Sequence, residues 1–214
     1  MFKVKSRGIL TVISGPSGAG KGTIIKELLK SSNNFWLSIS MTTREPRGLE
    51  KDGIDYYFVS KETFLENIEN NNFLEYAKVH SDHYYGTPKS NIENKLEEGI
   101  DVILEIDIQG ALEIKKTLPD SLFIFILPPS MEELKNRLIR RDTEVMDKIL
   151  ERFKKSYTEI NEMPKYNYVV INDEVEIATH KIKSIIEAEK CRVDRIEDFD
   201  LNSKEEIMHE NLVD

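Results

Sequence analysis

Cysteine is almost missing: Cys191 is the only one in 214 residues. That excludes a disulfide framework and a cysteine-based zinc site. It also fits a reducing compartment, so a cytoplasmic location is expected. Long apolar runs are missing too; none approaches the ~18 residues of a membrane span, so no membrane partner is expected. Residues 1–7 followed by Gly8-Ile-Leu-Thr-Val-Ile13 mimic a signal peptide. The apolar stretch is short, however, and a glycine-rich loop follows where a cleavage site would stand, so a buried strand is the better reading. There is no basic stripe interleaved with aromatics, which argues against a nucleic-acid partner. No internal repeat and no low-complexity linker is present.

What remains is an ordinary globular mix, 39% hydrophobic and 32% charged. It can build a sizeable core without disulfides or structural metals. The length fits one domain, or one domain with inserted lobes, against a rough prior of ~150 residues per domain. The formal net charge of −9 is uneven: residues 194–214 hold eight acids and two bases, leaving −3 for residues 1–193. The body is near neutral, and the acidic segment reads as a solvated, frayed terminus. An acidic interaction arm is the less favoured alternative.

Strand-like and helix-like stretches alternate. Strands are expected at residues 8–13, 35–40, 56–59, 102–106, 122–127 and 168–171. Helices are expected at 21–30, 60–70 behind the cap Ser60, 90–98, 110–117, 130–140 behind the capping box Ser130-Met-Glu-Glu133, 145–161 and 177–193. A turn is expected around Tyr84-Tyr-Gly-Thr-Pro88. Continuous apolar strands separated by helices predict an α/β fold, a parallel sheet covered on both faces. Residues 41–90 break the rhythm and read as an inserted lobe.

The strongest single motif is Gly15-Pro-Ser-Gly-Ala-Gly-Lys21, a G-x-x-x-x-G-K phosphate loop set between a buried strand and a helix. Its glycines let backbone N–H groups approach phosphate oxygens, and the helix N-terminus adds its positive dipole end. The ATP-binding candidates here are Gly15, Ser17, Gly18, Ala19, Gly20, Lys21, Gly22 and Thr23. Lys21 would reach the β- and γ-phosphates. Gly22 departs from the motif, whose next residue normally offers a hydroxyl to Mg²⁺. Thr23 can serve instead, or the ion can be held through water. Further on, Arg44 and Arg47 stand three apart on a loop after a strand and can clamp a phosphate bidentately.

GPSGAGKGT, SMTTREPR, DYYF, FLEYA, YYGTP, LEIDIQGA, FILPPS and YVVIND occur in this order. From about residue 7 to 193 the chain resembles the guanylate kinase family, a phosphate-loop group of nucleoside-monophosphate kinases. The resemblance implies that GMP binds in the 41–90 lobe. Arg44, Arg47, Tyr56 and Tyr85 match positions that hold the GMP phosphate, and Ser40, Glu75 and Thr87 match positions that read guanine. The chemistry agrees: guanine offers adjacent N1–H and N2–H₂ donors, and one carboxylate offers two acceptors. Adenine would leave a buried Glu75 unpaired, and such sites can discriminate by ~10⁴. Without the motif order, Glu75 would read as a surface acid at a helix end.

Val102-Ile-Leu-Glu105-Ile-Asp107 reads as a strand ending in two acids on one face. Two carboxylates beside a phosphate site need Mg²⁺ and arginines to neutralise them. By resemblance, Asp107 orders the Mg²⁺ waters, Glu105 faces GMP, and Asn172 contacts adenine. Arg137, Arg141 and Arg152 flank the polar stretch 142–147; by resemblance they belong to a lid, residues 137–152, that closes over ATP. Without it they would read as a solvated helix face. The resulting division is a core of residues 1–40, 91–136 and 153–193, a GMP lobe at 41–90, a lid at 137–152 and a tail at 194–214.

The implied reaction is ATP + GMP (or dGMP) ⇌ ADP + GDP with Mg²⁺. The GMP phosphate is already an ionised nucleophile, so no general base is needed. Lys21, Arg44, Arg137 and Arg152 would carry the transferring charge, with Asp107 on the metal. Three features depart from the family pattern: Asp142 follows the lid arginines in place of glycine, Gly48-Leu49 shifts a glycine, and residues 78–83 run about one residue long. His80 and His83 read as solvated loop histidines. A peptide-binding scaffold domain of the same family is the rival, and the intact Gly20-Lys21 argues against it. Monomer and homodimer both fit the sequence.

Overall fold

The computed structural model describes residues 3–79, 82–141 and 146–200; side chains at 3–6, 79, 141, 146–148 and 197–200 are also outside the description. Five strands form the central sheet: β2 (Leu10–Ser14), β3 (Phe35–Ser38), β8 (Asp101–Glu105), β9 (Leu122–Leu127) and β10 (Tyr168–Ile171). All pair in parallel, in the order β10-β9-β2-β8-β3. The α/β expectation therefore holds.

The central strand is buried throughout, and its alternation supplies both faces. Ile9 and Ile13 pack with Ile24, Ile25 and Leu28 of α1 (Lys21–Ser31) and with Ala178, Ile182 and Ile186 of α7 (Val175–Lys190). Leu10 and Val12 face Ile92 and Leu96 of α3 (Ile92–Glu97), and Ala111 and Ile114 of α4 (Ile108–Thr117). Each fully buried Ile or Leu contributes on the order of 1.5–3 kcal/mol, so this double layer fixes the strand ends that carry the site.

A second sheet lies in the 41–90 segment. It is built from β4 (Met41–Thr42), β5 (Tyr57–Phe58), β6 (Phe73–Val79) and β7 (His83–Pro88), in the order β5-β4-β7-β6. The structure corrects the sequence here. Tyr84 to Pro88, expected to turn, run as a strand antiparallel to β6. Glu75 therefore lies in a strand and not at a helix end. Helix α2 (Lys61–Glu69) starts at Ser60 as expected, the Ser60 Oγ accepting from the Thr63 N–H at 3.2 Å. Phe64 of α2 stacks on Phe73 of β6 at 4.5 Å, anchoring the helix to this sheet.

Two helices follow β9: α5 (Met131–Arg141) and α6 (Met146–Ile160). The expected cap is present, Ser130 Oγ accepting from the Glu133 N–H at 3.0 Å. Leu134, Leu138 and Ile149 join the two helices through a small apolar cluster. Asp142 and His80 lie outside the described residues. The frayed-terminus expectation is corrected in part: β11 (Ile196–Asp200) pairs antiparallel with β1 (Lys3–Ser6) in a separate ribbon. Residues 201–214 lie outside the described residues. Among the described residues no helix is long and apolar enough to cross a membrane.

Candidate functional site

The loop between β2 and α1 takes the form its glycines allow. Gly20, the N-cap of α1, has φ +89°. A Cβ there would stand 2.3 Å from Asn172 Nδ2, so both conformation and space require glycine. Asn172 is buried just after β10 and donates through Nδ2 to the Ala19 carbonyl at 2.8 Å. The Lys21 ammonium folds back over the loop, donating to the carbonyls of Gly15 at 2.6 Å and Pro16 at 3.2 Å.

Two helices beyond β9 bring arginines to the same loop. Arg137 donates to the Glu133 carboxylate at 2.9 Å and to the Asn172 carbonyl at 3.0 Å. Arg152 donates to Ser17 Oγ at 2.8 Å. Arg137 also donates to the Ala19 carbonyl at 3.4 Å, so both arginines meet the phosphate loop. The Arg141 side chain lies outside the described residues. Gly18, Gly20, Thr23, Arg137, Arg140, Asn172 and Val175 line one cleft of about 350 Å³.

The residues expected on the acceptor side collect on or beside the second sheet. Thr87 lies across the β6–β7 ladder from Glu75, and its hydroxyl donates to Glu75 Oε1 at 2.7 Å. Burial pushes the Glu75 carboxyl above its ordinary range, against the pull of the Thr87 hydroxyl. Arg44 is buried, stacks over the Tyr56 ring at 4.9 Å and donates through Nε to the Tyr85 hydroxyl at 3.0 Å. Burial also raises the Tyr56 phenol, keeping it a neutral donor. Arg47 is exposed on the same loop. Ser40 precedes β4, its carbonyl accepting from the Tyr57 N–H at 2.9 Å.

The acidic strand end joins the two sides, in a geometry that differs from the expected one. β8 ends at Glu105, and Asp107 is instead the N-cap of α4, its Oδ1 accepting from the Gly110 N–H at 2.8 Å. The two carboxylates are thus held by different elements. A Cβ on Gly22 would stand 3.6 Å from the Glu105 carboxylate oxygens, so this departure from the motif opens space beside Glu105. A Cβ on Gly110 would stand 3.0 Å from Glu75 Oε2. The first turn of α4 therefore touches the Glu75 carboxylate while holding Asp107.

Among the described residues no three His, Cys, Asp or Glu side chains gather into a metal cage. Mg²⁺ suits such a place, since it keeps several waters, takes phosphate oxygens and needs one or two carboxylates. Asp107, exposed beside the loop, fits that donor set. Thr23 opens into the cleft shared with Arg137 and Asn172.

Glu159 of α6 escaped the sequence reading. Its carboxylate accepts the Ser17 N–H, and burial raises it, opposed by Lys155 and Lys21. A lone acid on an amphipathic helix carries no signal of such a role. Tyr166, also unread, is half-buried edge-on against Phe125, and desolvation pushes its phenol up to about 12.

Fold and site define a phosphate-loop protein with arginines gathered at the loop and a second polar cluster on the inserted sheet. A family model described as guanylate kinase matches residues 7–189. Guanylate kinase of Clostridium tetani (strain Massachusetts / E88) is 61% identical over 208 residues, covering 97% of this chain and 99% of its own. That of Caldanaerobacter subterraneus subsp. tengcongensis is 59% identical over 205 residues, covering 96% and 99%. The crystal structure of guanylate kinase from Anaplasma phagocytophilum superposes with a TM-score of 0.76 at 35% identity, covering 91% and 92%. The chain belongs to the guanylate kinase family.

Proposed function

We propose a mechanism in which this chain moves the γ-phosphoryl group of ATP to the phosphate of GMP or dGMP, giving ADP and GDP or dGDP. The chain is an enzyme, and phosphoryl transfer from ATP to GMP is its activity. The observation that carries the acceptor assignment is the Glu75–Thr87 pair, a raised carboxylate held by a cross-strand hydroxyl beside the first turn of α4. When ionised it offers acceptors matched to the N1–H and N2–H₂ donors of guanine, and Ser40 completes the base set. An adenine ring would set its N1 acceptor against the same carboxylate.

The GMP phosphate goes to Arg44, Arg47, Tyr56 and Tyr85. The ATP phosphates go to the loop Gly15–Gly20, Lys21 and the N-terminus of α1, with Asn172 toward adenine. For the ATP phosphates, the Lys21 ammonium leaves the Gly15 and Pro16 carbonyls. Arg137 and Arg152 then face the transferring group, with Arg141 further along the lid. Asp107 would hold Mg²⁺ through water, and the ion when bound neutralises phosphate charge and aligns the oxygens. Glu105 faces the acceptor side. The acceptor oxygen is ionised at neutral pH, so the chain supplies positioning and charge neutralisation rather than a base. The functional division follows: core 1–40, 91–136 and 153–193, acceptor lobe 41–90, lid 137–152.

Incubation with MgATP and GMP, followed by chromatographic separation, tests this directly. Equal amounts of ADP and GDP are expected. ADP without GDP would mean hydrolysis and would refute the transfer.

A further inference from the structure

The guanidinium of Arg44 is held far more completely than a surface phosphate ligand requires. Nη1 donates to Glu50 Oε2 at 2.6 Å and to the Glu45 carbonyl at 2.9 Å, and Nη2 donates to Glu50 Oε1 at 2.7 Å. Tyr56 and Phe58 cover its face at 4.9 and 5.6 Å. Glu50 thus takes the end-on edge of the fork with both carboxylate oxygens. The side-on edge, Nε and the remaining Nη2 hydrogen, points toward the Tyr85 hydroxyl, 3.0 Å from Nε. Nε–H is given to the Tyr85 hydroxyl, so the second Nη2 hydrogen is what this edge offers a ligand, beside a Tyr85 hydroxyl of the same proposed phosphate set.

The same carboxylate also accepts the Arg47 backbone N–H at 2.8 Å. It closes the turn in which the Glu50 N–H donates to the Arg47 carbonyl at 3.1 Å. One side chain therefore orients the buried arginine and shapes the loop that bears the second one. The Arg44 guanidinium holds the Glu50 carboxyl down to about 2, so the pair stays ionised at any working pH.

We propose that Glu50 is a positioning residue for the acceptor phosphate: it locks Arg44 by one edge so that the other edge, beside Tyr85, is presented to the phosphate of GMP. Glu50 does not touch the nucleotide and acts only through Arg44 and the Arg47 loop. The proposal rests on assigning the GMP phosphate to Arg44.

The test compares dissociation constants for GMP and for guanosine, which lacks the phosphate, in wild type, Glu50→Gln, Arg44→Ala and the double variant. Glu50→Gln keeps the size of the side chain and loses its charge. It is expected to weaken GMP by about tenfold, the scale of one charge-assisted hydrogen bond, and to leave guanosine unchanged. In the Arg44→Ala background Glu50→Gln adds nothing further. Equal loss for GMP and guanosine, additive losses, or tighter GMP binding in Glu50→Gln would each overturn the positioning role. If Glu50→Gln fails to fold, Glu50→Asp keeps the charge but is one methylene too short to span both Nη atoms. The same selective loss of GMP supports the role in that variant, and unchanged GMP binding refutes it. Arg44→Ala with full GMP affinity would sink the assignment of the phosphate itself. Arg44→Ala weakened beside an unaffected Glu50→Gln would sink only the role of Glu50.

Discussion

Replacing Glu75 by glutamine is the sharpest perturbation of acceptor recognition. The change is nearly isosteric, and Thr87 Oγ1 can still donate to the remaining carbonyl oxygen in place of its 2.7 Å bond to Oε1. The new amide N–H₂ then stands where Oε2 stood and points a donor at a guanine donor. One charge-assisted hydrogen bond is lost, worth about 1.5–3 kcal/mol, and a ligand N–H is left unpaired, costing a further ~1–3 kcal/mol. A total of about 2.5–6 kcal/mol corresponds to a fall of roughly 10²–10⁴ in kcat/KM for GMP. Steady-state kinetics with each substrate varied in turn checks it, and KM for ATP is expected to stay the same. Retention of GMP kcat/KM within about threefold would refute the reasoning, because a carboxylate facing two guanine donors cannot be that dispensable. The pH dependence adds a signature. Because burial raises the folded-state carboxyl, GMP affinity declines as pH falls through that raised value. Stability of the ligand-free protein moves the other way: the folded state binds this proton more tightly than the unfolded one, so wild type gains stability relative to Glu75→Gln as pH falls through the same window. Opposite slopes in binding and in unfolding midpoint identify Glu75 as the titrating group.

Three further variants probe the neighbouring contacts. Gly20→Ala forces a left-handed alanine and displaces Asn172 Nδ2, which a Cβ would meet at 2.3 Å; about 2–5 kcal/mol is lost, calorimetry shows a Tm lower by roughly 4–20 °C, and KM for ATP rises. Gly110→Ala crowds Glu75 Oε2 at 3.0 Å and is expected to raise KM for GMP by about tenfold, an overpacking cost of ~1–3 kcal/mol, with KM for ATP unmoved. Arg152→Gln removes the cation that reaches Ser17 Oγ at 2.8 Å; single-turnover kinetics should show transfer slower by about 10²-fold with GMP binding intact.

The central sheet was legible because its strands are short, continuous apolar runs, and helices α2 and α5 because they carry the caps Ser60 and Ser130. The phosphate loop was legible because glycine positions in it answer to sterics that few other residues satisfy, as Gly20 against Asn172 shows. The inserted sheet was harder to read. Phe73-Leu-Glu-Tyr-Ala-Lys-Val79 mixes apolar and charged residues, and Gly86 and Pro88 mimic a turn, yet antiparallel pairing makes both segments strands. The β1–β11 ribbon joins the two ends of the described chain, and no local pattern announces a pairing at that separation. The two acids of Leu104-Glu-Ile-Asp107 were read as one strand face. Asp107 instead caps a helix, because an aspartate three residues before a free N–H is also a capping signal. Glu50 and Glu159 stayed silent for the same reason: their roles lie in partners far along the chain or in loop geometry, and a single acid on a polar stretch does not name its partner.

The account stands most directly on one assay, coupled ADP release with MgATP in the presence of GMP, AMP, UMP or no acceptor, with Lys21→Ala as the control. Release that requires GMP, exceeds that with AMP or UMP by orders of magnitude, and disappears in Lys21→Ala is the expected result. Folded protein that releases no more ADP with GMP than without an acceptor would contradict it.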